Sequence, residues 1–428
     1  MHLSFLEACV RSPSLLALAV LLSGVPVLAQ TQTPVRVVPI VETQPVLGSG
    51  STIQGAALWV HPKTPASSQL LVADRQAGLL SYELNGAARP VLVTGSLSGV
   101  DVQDGFLVDD VSQPLIVVAN VTVGLEAYVL DLTTLTAQKI GATIPTGFTP
   151  NSVAVYASES GRYYAFAGSE AGTVAQFELT SQTDGGTAAG AVRTLNVGGS
   201  VAGLAVDDEL GVLYVVQQDK GIWQYRAEPT STETRVPVDS ISATGLVQPL
   251  GGVALYTASN NRGYLLAVNG GTGPVRVYER ALDAHTYRGS FSVVQDGGID
   301  AVDSPRHVAV SNRSLGSIFP LGVVAVHDGL DTGGRENFKL VDWSTLARSF
   351  PTPLEVDTGG PPLPTDGGTS DGGVADGGPG TGIGGGPGGG GGGIPNDDGC
   401  GCSSASLPGT VLFVLAGALL LSRRRSGV

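Results

Sequence analysis

The stretch Asn151–Leu179 reads NSVAVYASESGRYYAFAGSEAGTVAQFEL, and Ser200–Trp223 continues with SVAGLAVDDELGVLYVVQQDKGIW. Short apolar runs alternate with turn residues, as in successive β-strands. A closing phrase that starts with glycine and ends near an aromatic residue recurs at steps of 46, 48, 49 and 52 residues. The phrase occurs as GLLSYEL from Gly78, GLEAYVL from Gly124, GTVAQFEL from Gly172, GIWQYRA from Gly221 and GPVRVYE from Gly273. Such a period, with several strands per unit, is typical of the blades of a β-propeller.

Two further sets of apolar runs predict the remaining strands. The first set is Ala57–Val60, Pro114–Ala119, Tyr163–Ala167, Val212–Val216, Gly263–Val268 and Leu321–Val326. The second set is Val153–Val155, Gly203–Val206, Gly252–Leu255 and His307–Val310, and each member precedes one of the first set by a turn. We therefore expect the second set to form the inner strands, and no helix is expected inside the domain.

The predicted domain, Thr33–Arg348, contains about 315 residues, which suits one all-β, six-bladed propeller with NFKLVDW from Asn337 as the sixth unit. A propeller places its ligand site on one face, at residues flanking the inner strands. None of the three cysteines lies in this domain, because Cys9 precedes it and Cys400 and Cys402 follow it. Its stability must therefore come from burial and blade closure rather than from disulfides.

The two ends of the chain are predicted to lie outside the fold. Residues 1–29 carry Arg11, an apolar run and small residues before Gln30, which indicates a secretory signal peptide; a buried first helix is the alternative. Residues 349–399 are rich in Gly, Pro and Asp and predict a flexible linker, since the spacing of their Asp-Gly-Gly triplets does not match calcium-binding β-helices.

Residues 400–428 combine a cysteine pair, an apolar stretch from Leu407 to Leu421 and three arginines. The stretch is short for a transmembrane helix, which needs about 20 residues. This tail resembles the C-terminal sorting tags of myxobacterial surface proteins, which implies processing and delivery to the cell surface. A permanent single-pass membrane anchor is the alternative.

The formal charge of −14 argues against a nucleic-acid partner, and it becomes −17 if the neutral signal and the three terminal arginines are removed. Generic motifs for a serine nucleophile, a phosphate-binding loop or a zinc-binding His-Glu-x-x-His are absent. His61, in Trp59-Val60-His61-Pro62, is interpreted as the end of a strand, with a ligand role as the alternative.

In addition, the chain resembles the β-propeller phytases, which are secreted calcium-dependent enzymes that hydrolyse phosphate from phytate. The matching segments follow in order along nearly the whole domain. They are ETQPV from Glu42, LWVHPK from Leu58, GRYYAFAGSEAGTVAQFEL from Gly161, DDELGVLYVV from Asp207, GIWQYRAEP from Gly221, GYLLAV from Gly263, VYER from Val277, HDG from His327 and NFKLVDW from Asn337.

The resemblance implies a mechanism in which clustered carboxylates hold several calcium ions that bind the substrate phosphate and activate water. Most positions that match the family's cluster carry other residues here. They are Gln54, Gly55, Thr149, Asn151, Ala202, Gln217, Gln218, Pro249, Gly251 and Gly297, and matching basic positions are Gln76, Val121 and Ser169. Glutamine cannot supply charge to a metal or exchange a proton as a general acid or base.

Several polar residues of the family pattern are retained. They are Glu170, Asp207, Asp208, Glu209, Asp219, Asp328 and Asn337, while Asp296 and Asp300 remain from a longer acidic phrase. The resemblance assigns catalysis to Glu170 and Asp219, substrate binding to Arg75, and metal binding to Asp300, Asp328 and Asn337. Asp207 and Asp208 have an alternative interpretation as turn residues.

Two functional hypotheses follow. One is a phytase-like phosphohydrolase acting on phytate or another phosphorylated small molecule, through a reduced calcium site built on Glu170, Asp219, Asp300 and Asp328. The other is a non-catalytic propeller that binds a ligand or a protein partner at the cell surface. The substitutions predict weak or lost activity, because the scaffold is kept while the metal ligands are replaced.

Overall fold

The computed structural model of the protein describes residues 33–181, 187–232, 234–241 and 245–359. The chain divides into two compact units, Met1–Gly368 and Thr369–Val428, and the second lies wholly outside the described residues. The predicted signal peptide and the predicted tail with its apolar stretch also lie outside them. Among the helices of the described part, none has the length and apolar character needed to cross a membrane.

Six small sheets are arranged around a central channel, which confirms the predicted six-bladed propeller. Two short strands, β1 (Val35–Val37) and β2 (Val41–Glu42), come first and join the last two blades. Blade 1 contains β3 (Ile53–Trp59), β4 (Gln69–Asp74) and β5 (Gly78–Glu83); blade 2 contains β6 (Leu97–Val108), β7 (Val111–Asn120), β8 (Gly124–Leu130) and β9 (Ala137–Ile144).

The remaining blades repeat this antiparallel pattern. Blade 3 contains β10 (Pro150–Ala157), β11 (Tyr163–Ser169), β12 (Thr173–Ser181) and β13 (Thr187–Asn196); blade 4 contains β14 (Val201–Asp207), β15 (Val212–Gln217), β16 (Gly221–Arg226) and β17 (Val236–Ser240). Blade 5 contains β18 (Val253–Ala258), β19 (Arg262–Val268), β20 (Val275–Glu279) and β21 (Tyr287–Val293); blade 6 contains β22 (Val308–Ser311), β23 (Val323–Asp328) and β24 (Asn337–Asp342).

The repeated closing phrases form the third strand of each blade, and NFKLVDW forms β24 as predicted. The first strands β3, β6, β10, β14, β18 and β22 contact one another in a closed ring, which confirms the predicted inner set. The run Ala57–Val60 overlaps the first strand of blade 1 and therefore also belongs to this ring.

Closure of the propeller uses the N-terminal strands. Strand β2 pairs antiparallel with β24 as the outer strand of blade 6, and β1 adds a parallel fifth strand to β21 of blade 5. Six clusters of buried apolar side chains lie between neighbouring blades, one at each blade interface. Burial between blades is thus continuous around the ring, as expected for a domain without cysteines.

The expectation of no helix is wrong at the C-terminal end of the domain, where α1 spans Trp343–Ser349. Asp342 caps this helix by accepting a hydrogen bond from the Thr345 backbone N–H at 2.8 Å. Trp343, Leu346 and Ala347 are buried, a spacing that places them on one helical face. The cap and this periodicity were both present in the sequence. A single 3-10 turn (Pro65–Ser67) is the other helical element of the described residues.

The segment after α1 packs back onto blade 5. The Trp343 ring stacks on Tyr256 with centroids 3.9 Å apart, and its Nε1 donates to the Glu355 carbonyl at 2.9 Å. Asp357 accepts from the Ser259 backbone N–H at 2.8 Å. Residues up to Asp357 are therefore held by the propeller, although the sequence places the start of the linker at residue 349.

Candidate functional site

Four inner strands carry the same β-bulge near their first residue. The pairing register slips between Ile53 and Gly55 in β3, and equivalent slips occur in the other three strands at Leu97/Gly99, Pro150/Ser152 and Val201/Gly203. A bulge adds one residue and re-aims its side chain, often beside a functional site. Among the bulged residues, Gln54, Asn151 and Ala202 line one cavity at the mouth of the central channel, here called the mouth cavity.

Small residues follow the bulge position and close the floor of this cavity. A Cβ on Gly55 would lie 3.1 Å from the Gly99 Cα, and one on Gly203 would lie 3.0 Å from the Gly252 Cα. Glycine therefore allows the inner strands to approach closely at this level. Beneath the floor the free space shrinks to about 50 Å³.

The mouth cavity has a volume of about 900 Å³. Its charged lining residues are Arg75, Glu170 and Arg306, and its polar lining residues include Gln54, Gln218 and His307. Two guanidinium groups therefore face one carboxylate, which leaves a positive balance in a protein of strongly negative net charge. A cavity of this kind attracts anionic ligands.

The structure places two of the predicted site residues in this cavity. Arg75 is exposed and its Nη2 donates to Gln54 Oε1 at 3.3 Å. Glu170 is also exposed, and its carboxylate makes no hydrogen bond or ion pair with the described residues. The two predicted residues therefore meet at one site, where Arg75 can contact an anion.

Asp219 is placed differently from its predicted partner Glu170. It is exposed in the turn between β15 and β16, and it accepts a hydrogen bond from Gln217 Nε2 at 3.2 Å. Its neighbour Gln218 lines the mouth cavity, but Asp219 is not among the lining residues. The catalytic role suggested for Asp219 stays a prediction.

The three predicted metal ligands do meet, but around an ammonium group. The Lys339 Nζ is fully buried and lies 2.5 Å from Asp300 Oδ1, 3.0 Å from Asp328 Oδ2 and 3.1 Å from Asn337 Oδ1. It also pairs with Glu42 on β2. This group of five residues, the Lys339 cluster, fastens the N-terminal strand to β24.

Electrostatics favour the charged forms of Asp300 and Lys339, whereas burial raises the pKa of Asp328. Burial raises the pKa of Asp300, but hydrogen bonds from Lys339 and Thr332 outweigh it and bring the pKa down to about 2. Burial lowers the pKa of Lys339, but the surrounding Asp300, Glu42 and Asp328 outweigh it and hold the pKa above its usual value. The ammonium thus compensates the carboxylates that the resemblance assigns to calcium.

The retained residues Asp207 and Asp208 lie away from the mouth cavity. Asp207 is buried, accepts from the Leu210 backbone N–H at 3.0 Å and pairs with the buried Arg280, which agrees with its interpretation as a turn residue. Asp208 lines a separate cavity of about 380 Å³ together with Asp104. Burial raises the pKa of Asp208 to about 8 and that of Asp104 to about 6. Arg313 also lines this second cavity, which therefore combines two carboxyl groups with one guanidinium.

His61 is a structural residue in this fold. It follows β3, and its Nδ1 accepts from the backbone N–H groups of Lys63 and Thr64 at 3.1 and 3.0 Å. Its Nε2 lies 3.1 Å from the Leu132 carbonyl oxygen. Both ring nitrogens therefore have partners in the protein.

Calcium is the metal that the family resemblance implies. Nowhere in the described ranges are three or more His, Cys, Asp or Glu side chains arranged to hold a metal ion. The mouth cavity offers one carboxylate beside two arginines, and the oxygens of the Lys339 cluster already surround an ammonium group. These residues do not fit a cluster of several calcium ions, which needs many oxygen ligands with negative charge.

Reasoning from the sequence missed Arg306 and His307. In five blades, the residue directly before the apolar run of the inner strand is small, as are Gly203 and Gly252, whereas in blade 6 it is His307. Comparison of the blades with one another would have revealed this exception. Comparison with a family pattern did not, because these residues have no counterpart among the quoted matches.

A family model described as phytase matches residues 4–362 of the chain. The 3-phytase of Bacillus subtilis (strain 168) is 27% identical over 319 residues, and this alignment covers 72% of the present chain and 83% of that protein.

Proposed function

The chain belongs to the phytase family, and from this premise we propose that its mouth cavity binds a phosphorylated small molecule such as phytate. We further propose that calcium-dependent hydrolysis of this ligand is weak or lost. The observation that carries the proposal is the cavity lining, in which Arg75 and Arg306 face a single carboxylate, Glu170. Guanidinium groups bind phosphate through paired, charge-assisted hydrogen bonds.

The lining supports binding better than it supports catalysis. When bound in a phosphohydrolase, a calcium ion neutralises phosphate and activates the attacking water. In this chain Gln54 and Gln218 stand at cavity positions that the family resemblance assigns to carboxylates, and an amide cannot take a proton from water. Apart from the two arginines, the titratable groups of the described lining are Glu170 and His307, and burial lowers the pKa of His307 to about 3.

A non-catalytic propeller that binds a ligand or a protein partner is the second candidate function. The same cavity favours it, because binding needs only the two arginines, whereas hydrolysis also needs an activated water. Under either function, we propose that the protein is exported through its signal peptide and attached to the cell surface or released through its C-terminal tail.

Phosphate release from phytate by the purified protein tests the proposal. The assay is run with millimolar calcium and with chelator, beside the Bacillus subtilis 3-phytase as a positive control. We expect little or no calcium-dependent release, together with measurable phytate binding by calorimetry. Rapid release that chelator abolishes would contradict the proposed loss of activity, and absence of phytate binding would contradict the proposed ligand class.

A further inference from the structure

Arg306 is exceptional among six equivalent positions of the propeller. The position two residues before the apolar run of each inner strand is occupied by Gln54, Ser98, Asn151, Ala202, Gly251 and Arg306 in blades 1 to 6. Blade 6 alone of these places a charged residue there and follows it with a histidine. The Arg306 guanidinium is exposed in the mouth cavity and makes no hydrogen bond or ion pair with the described residues.

A buried chain of contacts holds the backbone of Arg306. Its N–H donates to His327 Nδ1 at 3.2 Å, so the proton of this imidazole lies on Nε2. That Nε2 lies 3.2 Å from Glu336 Oε1. His327 and Glu336 are both almost completely buried, with 0% and 1% exposure. The loop that presents Arg306 is therefore fastened to a buried carboxylate.

The same carboxylate continues to the loop of Arg75. Glu336 Oε2 accepts from the Thr52 and Ile53 backbone N–H groups at 2.5 and 2.9 Å. The Thr52 hydroxyl donates to Asp74 Oδ2 at 2.7 Å. Asp74 Oδ1 in turn accepts from two backbone N–H groups of the turn that carries Arg75, at residues 76 and 77, each at 2.7 Å.

The side chains of Thr52, Asp74, His327 and Glu336 are buried, and a buried chain of polar contacts makes the geometry of its parts rigid. Burial raises the pKa of Glu336, but the hydrogen bonds from His327, Ile53 and Thr52 outweigh it and lower the pKa to about 2. The carboxylate is therefore ionised at neutral pH and able to hold all its donors. Two buried carboxyl groups, Glu336 and Asp74, joined through Thr52, thus order the two loops that carry the cavity's two cations.

We propose that Arg306 and Arg75 together bind anionic phosphate groups directly, without a bridging metal ion, and that His327, Glu336, Thr52 and Asp74 are positioning residues for this pair. The inference rests on the proposed function and adds its mode of binding. Two planar guanidinium groups with fixed backbones can each form paired hydrogen bonds to phosphate oxygens. Fixing them in advance reduces the entropy lost on binding.

Calorimetry with inorganic phosphate and with phytate tests the direct binding. The full chain is treated with chelator, dialysed and titrated as wild type, Arg306→Gln, Arg75→Gln and Arg335→Gln. Each variant removes one positive charge from an exposed arginine, and Arg335 lies outside the mouth cavity. We expect the first two to weaken phytate binding by about tenfold or more and the third to change it by less than about twofold.

Two results would overturn the inference in distinguishable ways. Phytate binding that appears only after calcium is added, and that Arg306→Gln leaves unchanged, would refute direct binding but keep the proposed ligand class. Absence of binding of either probe, with and without calcium, would refute the proposed function and the inference with it.

A double-mutant cycle separates positioning from general stabilisation. Glu336→Gln is expected to weaken phytate binding by about fivefold in the wild-type background and to have little effect in the Arg306→Gln background. Equal weakening in both backgrounds would show that Glu336 has only a structural role. Should Glu336→Gln fail to fold, Thr52→Val provides the same cycle against Arg75→Gln.

Discussion

We predict that the Lys339 cluster stabilises the fold by a measurable amount. Substitution Lys339→Met removes a fully buried ammonium and leaves Glu42, Asp300 and Asp328 facing one another without a cation. Removing one partner from a buried ion pair costs about 3–5 kcal/mol, because the remaining charge stays buried. The entropy of unfolding is about 2.1 cal/mol/K per residue, so for about 330 residues this loss lowers the melting temperature by about 4–7 °C.

The assay is a thermal melt of wild type and Lys339→Met, each with chelator and with millimolar calcium. We expect calcium to move the wild-type melting temperature little, since the oxygens of the cluster already surround Lys339. In Lys339→Met the same oxygens become free to bind a divalent cation, so calcium should recover part of the loss.

Lys139→Met is the matched control. Lys139 also pairs with a glutamate, Glu126, but its side chain is 38% exposed, so the loss should be below about 1 kcal/mol. Two results would refute the reasoning. One is a Lys339→Met melt no lower than that of the control. The other is a calcium-induced rise of about 4 °C or more in wild type, which corresponds to the roughly 2.7 kcal/mol of a site at a hundredfold excess of ion.

Three further predictions concern buried groups and backbone geometry. The folded-state pKa of Glu336 is depressed to about 2, so its carboxylate stabilises the fold at pH values above its unfolded-state pKa, and this stability is lost as the pH falls toward about 2. We expect denaturant titrations to show a loss of about 3 kcal/mol over this range. Glu336→Gln should remove this pH dependence. Gly78 has a φ of +104°, and a Cβ there would lie 2.0 Å from a backbone carbonyl oxygen, so Gly78→Ala should lower the free energy of unfolding by more than about 1 kcal/mol in a urea titration. Gly50→Ala is the control, because Gly50 has a φ of +83° but open space around it, and it should lower the free energy of unfolding less. Arg280→Met leaves the fully buried Asp207 without its ion-pair partner and should lower the free energy of unfolding by about 3–5 kcal/mol. A loss below about 1 kcal/mol would show that this pair does not hold blades 4 and 5 together.

Much of the fold could be predicted from the sequence because its signals are local. The spacing of the closing phrases predicted five blades, and NFKLVDW predicted the sixth. Short apolar phrases that precede the other strands by a turn predicted the inner strands. The helix α1 was missed although its cap, Asp342, and its apolar spacing are equally local.

The site could be predicted only in part. Arg75 and Glu170 were identified by resemblance, and they do share the mouth cavity. Asp300, Asp328 and Asn337 were also predicted to lie together, but the family pattern did not reveal the ammonium at their centre. Resemblance identifies equivalent positions, whereas the charge balance at a position depends on every neighbour around it.

The sequence by itself therefore determined the number of blades, the order of strands and the family, because each depends on residues close together along the chain. Only the tertiary structure decided that Lys339 is surrounded by residues up to 297 positions away, and that Arg306 shares a cavity with Arg75. It likewise decided that Glu336 joins the loops carrying these two arginines. In a closed ring the first and last blades are neighbours, so contacts across the closure have no signature in local sequence. Electrostatic interactions depend on distance in space and on burial, and both arise only when the ring has closed.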